Sequence, residues 1–430
     1  MGIKRFDVGE WLDSPLSRRR LDLSHLERER AVVQEICARV AAEGDAALRE
    51  YGQRFDGWSP AADGGFDVPR AELERAWRRL PPEDRRALEF AARRIREFHS
   101  AQTYPDSVGP PGLKLLTRPV RRVGAYVPGG RAAYPSTLLM TVIPARIAGV
   151  AEVVVATPPR ADGTVPTAIL AAARLAEADA VYRLGGAQAI AALAYGTISI
   201  PRADVVVGPG NIYVTLAKRE VFGQVGVDGI QGPTEILIVA DDEAPPEYLA
   251  ADLASQLEHD PLAWAVLVTD SPRLADAVEA ALAKLLAGLE RAEIATAAHC
   301  CLILVDSIEQ ALEVANDFGP EHMELVVRDA GRWASGVENA GAVFLGPYGA
   351  VSLGDYVVGT NHTLPTAGSA RFGSPLGVHT FLRRASVASL TQGDLEMLQE
   401  AARTLARLEG LGAHAHAVEV RLAGRGGPDA

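Results

Sequence analysis

Cysteine is scarce in this chain, with Cys37, Cys300 and Cys301 the only three in 430 residues. An odd count without regular spacing provides no disulfide framework, and no Cys-x-x-Cys is present for a redox or metal motif. Reduced thiols in the cytoplasm are therefore expected, with Cys300-Cys301 leading into Leu302-Ile303-Leu304-Val305 as strand packing. No apolar run reaches the roughly 20 residues that a membrane helix needs, and Met1 to Asp7 contain no apolar signal core, so no membrane association is expected. Basic charge is also in short supply. The 43 Lys and Arg against 55 Asp and Glu leave a net charge of −12, which argues against nucleic acid, because phosphate binding needs clustered cations. An Arg-rich stretch, Arg85-Arg86 followed by Arg93-Arg94-Ile95-Arg96, is interleaved with Glu and Ala at helical spacing and reads as a solvated helix face. Gly-x-Gly-x-x-Gly is missing, so the standard dinucleotide fingerprint supports no cofactor assignment.

The composition itself, 48% hydrophobic and 23% charged, is that of a globular protein long enough for two or three well-buried cores. The first hundred residues read mostly as helices, including a 3.6-residue apolar period over Ala31–Val40 that closes or bends at Gly44-Asp45. From about residue 120, short β-branched runs alternate with Ala-rich helices. Residues 123–127, 152–156, 180–184 and 205–207 read as buried strands of one parallel, doubly wound sheet. Residues 236–241, 263–268, 301–305, 323–327 and 342–345 read as a second set. The fold class is α/β, and a ligand cleft is expected between the two sheets at the carboxyl ends of their strands.

Several short constellations carry chemistry. Ser255-Gln256-Leu257-Glu258-His259-Asp260-Pro261 puts an amide and an imidazole three apart, on one face at the end of a helix beginning near Pro245. Such a pair could hold a divalent metal, and a solvated last turn is the competing reading. Three glycine-bearing turns follow strands: Pro128-Gly129-Gly130, Gly185-Gly186-Ala187-Gln188 and Gly208-Pro209-Gly210-Asn211. Together they offer backbone N–H groups to an anionic ligand; tight turn chemistry is the alternative. Glu321-His322, directly after Gly319-Pro320, is a workable acid–base set at a sharp turn. Asp355 could complete oxygen and nitrogen ligation beside Gln256 and His259, a set that suits zinc and also admits manganese or cobalt.

Taken in order, these motifs resemble one family, the histidinol dehydrogenases. The similarity runs from about Val32 to Arg421. It rests on Gly124–Gly130, Gly185–Ala189, Val207–Asn211, Gly232-Pro233-Thr234-Glu235, Ser255–Asp260, Pro320-Glu321-His322, Gly354-Asp355-Tyr356 and Asn361–Thr366. The resemblance implies an enzyme that oxidises L-histidinol through L-histidinaldehyde to L-histidine with two NAD. It implies one Zn2+ per subunit on Gln256, His259 and Asp355, with His414 supplied across a homodimer. Glu321 and His322 match the catalytic pair, Tyr126, Gln188 and Asn211 the NAD contacts, and Thr234, His362 and Glu409 the substrate contacts, to which Gln256, His259, Asp355, His414, Glu321 and His322 lie close enough to contribute. The implied fold has two incomplete Rossmann-like domains, with small N- and C-terminal helical pieces exchanged in an intertwined dimer. Its expected boundaries are 1–20 for a dimerisation segment, 21–125 plus 235–376 for the domain with the zinc and catalytic residues, 126–234 for the NAD domain, and 377–430 for the piece reaching the partner.

This sequence departs from the family pattern at Gln231, Thr234 and Val351. Thr234 keeps the hydroxyl of the more common Ser. The other two leave open a related dehydrogenase acting on another small polar alcohol such as a sulfonated diol, although Glu409 suits a cationic amine and repels a sulfonate. A metal-stabilised binding protein without catalysis is a further rival, and it gives no reason for both Glu321 and His322; a zinc hydrolase is another, and it gives no use for the three glycine turns.

Overall fold

The computed structural model describes residues 3–18, 26–61, 64–129, 133–289 and 292–423; Gly130 of the first glycine turn lies outside the described residues. The chain divides into two compact units, one of Met1–Thr103 and Pro119–Phe381, the other of Tyr104–Arg118 and Leu382–Ala430.

Two wholly parallel sheets form the first unit. The five-stranded sheet runs Ala180–Arg183, Glu152–Thr157, Arg122–Tyr126, Val205–Val207, Gly226–Val227. Its first strand in sequence lies in the middle and later strands wind outward on both sides, so the winding reverses between Arg122–Tyr126 and Val205–Val207. The six-stranded sheet winds outward in the same way from Glu235–Ala240, with the chain's first strand added at one edge, in the order Lys4–Asp7, His299–Leu304, Trp264–Thr269, Glu235–Ala240, His322–Val326, Ala342–Leu345. Here the reversal lies between Glu235–Ala240 and His322–Val326. Strands covered on both faces have no polar side to alternate with, which is why Val153, Val154 and Val155 are all fully buried.

The expected strands are all present, and two more join them. Lys4–Asp7 pairs with His299–Leu304, and Asp7 caps the short helix Val8–Asp13, which buries Trp11 beside Phe318. Residues 4–13, expected within a dimerisation segment, thus add an edge strand to the six-stranded sheet of their own unit and bury Trp11 in its core. The helices Glu27–Glu43 and Asp45–Tyr51 form an outer layer on one side of the five-stranded sheet, packing through Val33, Ile36, Val40 and Leu48 on the helices Gly186–Tyr195 and Ile212–Val221 that cover it. Arg70–Arg79 and Pro82–Ser100 do the same on the other side through Leu73 and Ile95, on Thr167–Leu175 and Pro135–Ile147. The sequence boundaries group these helices with the six-stranded sheet; their apolar faces pack on the layers of the other one, into which the chain next passes, and sequential elements pack as neighbours.

The second unit builds a three-stranded sheet in the order Leu382–Ala388, Leu113–Pro119, Ser107–Val108. Its helices Gln392–Leu408 and Gly412–Ala423 pack on each other, joined by an Arg403–Glu419 ion pair at 2.8 Å. The C-terminal piece, expected to be helical from 377, therefore includes a strand and draws in residues 104–118. Among the described residues no helix is long and apolar enough to cross a membrane. All three cysteines are free and buried, and burial pushes their thiols up to about 12, 12 and 11.

Candidate active site

Loops at the carboxyl ends of the five-stranded sheet enclose a cavity of about 780 Å³. Tyr126, Gln188 and Asn211, far apart in sequence, all line it, with Arg54 and Asp56 from the N-terminal segment. Gly208 makes this convergence possible. Its φ of +112° suits glycine, and a Cβ there would run into the Tyr126 carbonyl. Asn211 then caps the helix Ile212–Val221, its Oδ1 accepting from the N–H groups of Tyr213 and Val214 at 3.1 and 3.2 Å. Tyr126 Oη accepts from the Gly186 N–H at 3.1 Å, and burial pushes the phenol up to about 12, so it stays protonated. Gln188 Nε2 donates to Asp56 Oδ2 at 3.5 Å; burial lifts that carboxyl to about 6.

The second group of residues sits at the opposite strand ends. Thr234 immediately precedes Glu235–Ala240, and Glu321 immediately precedes His322–Val326, so Thr234 and the acid–base pair stand side by side at the amino ends of two neighbouring parallel strands. The cleft expected at carboxyl ends holds for the five-stranded sheet and is corrected for the six-stranded one. The chain enters Glu235–Ala240 straight from the first sheet, and that entry is where the polar groups gather. Gly319 ends the preceding helix with φ +59° and swings Glu321 and His322 into place.

Their hydrogen bonds define the chemistry. His322 Nδ1 lies 2.9 Å from the carbonyl oxygen of Glu235. A carbonyl can only accept, so Nδ1 carries the proton and Nε2 keeps a lone pair. That Nε2 is buried without a hydrogen-bond partner, 3.8 Å from Asp355 Oδ1. Burial pushes the imidazole down to about 4, only partly opposed by Asp355, so it is a neutral base at ordinary pH. Glu321 Oε2 accepts from Thr234 Oγ1 at 2.6 Å and from the Glu235 N–H at 2.9 Å, and lies 3.6 Å from His322 Nδ1. Gln256 is buried on the helix Pro246–Leu257; its amide nitrogen donates to Thr234 Oγ1, which leaves its carbonyl oxygen as the atom that could ligate a cation. His362 Nδ1 donates to the Asp355 carbonyl at 3.1 Å, and Nε2 pairs with Thr137 Oγ1 at 3.0 Å. Burial lowers this imidazole to about 4, helped by His322 and His259.

The donors fit a borderline divalent cation. Burial raises the Asp355 carboxyl above its ordinary value, a cost that a bound cation offsets. His259 lies in an exposed turn beyond the helix, which ends at Leu257 rather than at Asp260-Pro261; its N–H reaches the Gln256 carbonyl at 3.3 Å, and Gln256 and His259 remain neighbours. Among the described residues no three His, Cys, Asp or Glu side chains converge on a metal position. In the first unit the expected set supplies only His259 and Asp355 of those types, its third donor being the Gln256 amide. Glu409 and His414 belong to the second unit, both exposed, at the end of one helix and the start of the next.

Two buried carboxylates escape a sequence reading. Glu235 is 1% exposed; its Oε2 accepts from the Glu321 N–H at 3.2 Å and its Oε1 from the Ala367 N–H at 2.9 Å, holding Ala367 at φ +53°. The only signal is its place beside Thr234. Glu324 accepts from the Val351 N–H at 3.2 Å and hydrogen-bonds Asp252, one helical turn before Gln256, so the pair joins the elements that carry Gln256, His322 and Asp355. Burial raises both carboxyls, Asp252 to about 6 and Glu324 well above the ordinary range; the charge of Asp252 and the shared hydrogen bond push Glu324 further up, while the same hydrogen bond partly opposes the rise of Asp252. A raised carboxyl contributes stability that is full below the unfolded value of about 4 and is lost as pH rises through the folded value. Glu324→Gln keeps the hydrogen bonds and cannot ionise, so its thermal midpoint at pH 8 is expected to exceed wild type by on the order of 2 °C, with no gain at pH 4. Equal differences at both pH values would refute the shared-proton pair.

The matching family model is that of histidinol dehydrogenase, over residues 18–422. The chain is 46% identical to a histidinol dehydrogenase of Parasynechococcus marenigrum over 94% of this chain and 93% of that one. It is 48% identical to one from Lactiplantibacillus plantarum over 93% and 94%. The chain belongs to the histidinol dehydrogenase family. The crystal structure of histidinol dehydrogenase from Elizabethkingia anophelis superimposes with a TM-score of 0.89 at 33% identity, covering 98% of each chain. At 16% identity and a TM-score of 0.50, an aldehyde dehydrogenase from Pseudomonas syringae shares the fold alone.

Proposed function

We propose that this family member oxidises L-histidinol through L-histidinaldehyde to L-histidine, reducing two NAD. The observation that carries the reading is the unpartnered, unprotonated Nε2 of His322, held beside Glu321 and facing Asp355. His322 Nε2 takes the alcohol proton, and NAD supplies the hydride acceptor. Glu321, steadied by Thr234 and the Glu235 N–H, activates the water that hydrates the aldehyde for the second oxidation. Gln256, His259 and Asp355, with His414 of the partner subunit, would hold Zn2+, whose charge anchors the substrate's imidazole and amine. Thr234, His362 and Glu409 complete the substrate contacts; with both nitrogens engaged, His362 acts through its ring and through the Asp355 it steadies. Keeping the reactive aldehyde bound through both steps protects it from side reactions. Tyr126, Gln188 and Asn211 contact NAD in the 780 Å³ cavity, a volume within the usual range for small-molecule sites.

A homodimer agrees with the apolar surface of the single chain. Met397, Leu405 and Leu408 fall on one face of Gln392–Leu408 and are 72%, 58% and 78% exposed. The test is stoichiometric. Zinc-loaded protein should form two NADH per L-histidinol consumed, and none after chelation. NADH from a sulfonated diol but none from L-histidinol would move the assignment to another small polar alcohol.

A further inference from the structure

The helix Ile212–Val221 carries one cation into the interior. Lys218 is 1% exposed and pairs with the equally buried Asp228. Its Nζ also donates to the Gly208 carbonyl at 3.1 Å and to Gln231 Oε1 at 2.7 Å, while Asp228 Oδ2 accepts from the Gly208 N–H at 2.8 Å. One ion pair thus holds both backbone groups of the residue that opens the Gly208–Asn211 turn. The same ammonium holds Gln231, whose carbonyl accepts from Thr215 Oγ1 at 3.1 Å; the next residue, Gly232, donates to Thr366 Oγ1 at 2.5 Å. Two residues after Gly232 comes Thr234, bonded to Glu321.

Burying an ion pair is a poor way to add stability, since well-packed apolar residues often serve as well or better. What an apolar pair could not do is bind two loops by directional bonds. We propose that Lys218 is a positioning residue. With Asp228 and Gln231 it sets the spacing between the turn that presents Asn211 to the cofactor cavity and the segment that delivers Thr234 to Glu321. Hydride transfer is sensitive to misplacements of about 1 Å, and this cluster is a direct hydrogen-bonded link between the cofactor turn and the acid–base segment. The proposal rests on reading the cavity as the NAD site.

The test compares wild type, Gln231→Ala and Lys218→Met by steady-state kinetics and by amide hydrogen exchange of peptides covering 208–211 and 230–234, with and without NAD. Gln231→Ala, which leaves the ion pair and hence the Asn211 turn in place, is expected to lower kcat about 10-fold through a misplaced Thr234–Glu321 segment, the scale of one lost charge-assisted hydrogen bond, with both Michaelis constants within about twofold. NAD should slow exchange in both segments of wild type, but only in 208–211 of either variant. Should Lys218→Met fail to fold, Gln231→Ala carries the comparison. Two Michaelis constants rising together in step with lost stability, or protection of 230–234 persisting in folded variants, would overturn the positioning role. NAD that protects neither segment of wild type would instead remove the cofactor reading, and the proposal with it.

Discussion

His322→Asn is expected to fold normally and to lose about 10²- to 10⁴-fold in kcat, the usual contribution of a positioned general base. The asparagine amide can reproduce the Nδ1 donation to the Glu235 carbonyl, so the amino end of His322–Val326 keeps its anchor. What it cannot reproduce is the lone pair at Nε2, the one atom of this side chain that the protein leaves unpartnered. The Michaelis constants should change little, because a neutral imidazole contributes no charge to binding. Supplying L-histidinaldehyde directly should recover much of the rate, since that half-reaction begins at Glu321. Stopped-flow NADH formation from alcohol and from aldehyde separates the two. Equal losses on both substrates would show that His322 does not serve as the alcohol's base.

Mixed dimers should give the second large effect. Homodimers of His414→Ala and of Gln256→Ala are each expected to be nearly inactive, having lost one of four metal donors in every site. A purified heterodimer of the two has one site with all four donors and one with only two, so it should show about half the wild-type rate. Orthogonally tagged subunits allow that species to be isolated and its NADH formation measured. A verified heterodimer that stays inactive would place His414 outside a shared site.

Much of the scaffold was legible in the amino-acid order. Strands buried on both faces must be runs of β-branched residues, and the three glycine turns are demanded by the backbone at their strand ends, Gly208 most visibly. The site was legible where a rare pairing occurred, as in Glu321-His322. It was not legible where a charged side chain is buried by partners distant in sequence. Lys218, Glu235 and Glu324 look like solvated residues in any local window, and their partners lie up to 132 positions away. That the acid–base pair precedes its strand was legible from Gly319-Pro320 and the run 323–327; what escaped was that polar groups gather at that amino end, because their partners Thr234 and Gln256 are distant in sequence. The strand Lys4–Asp7 has too little apolar content to announce itself, being half-exposed at the sheet edge.

The two sheets draw their cores from nearly separate stretches of the gene. Among the described residues, the clusters around the five-stranded sheet run from Val33 to Val225, joined by Leu376, Phe381 and the partly buried Val357 from elsewhere, whereas those around the six-stranded sheet use residues before 20 and after 235. The stretch that builds the five-stranded half, with residues 104–118 of the second unit inside it, is therefore a single cassette set within the half that holds Glu321, His322 and Gln256. Recombination at two points could exchange one relative's cassette for another's while leaving every acid–base and ligand residue in place, with Gln231 and Asp228 at the downstream seam.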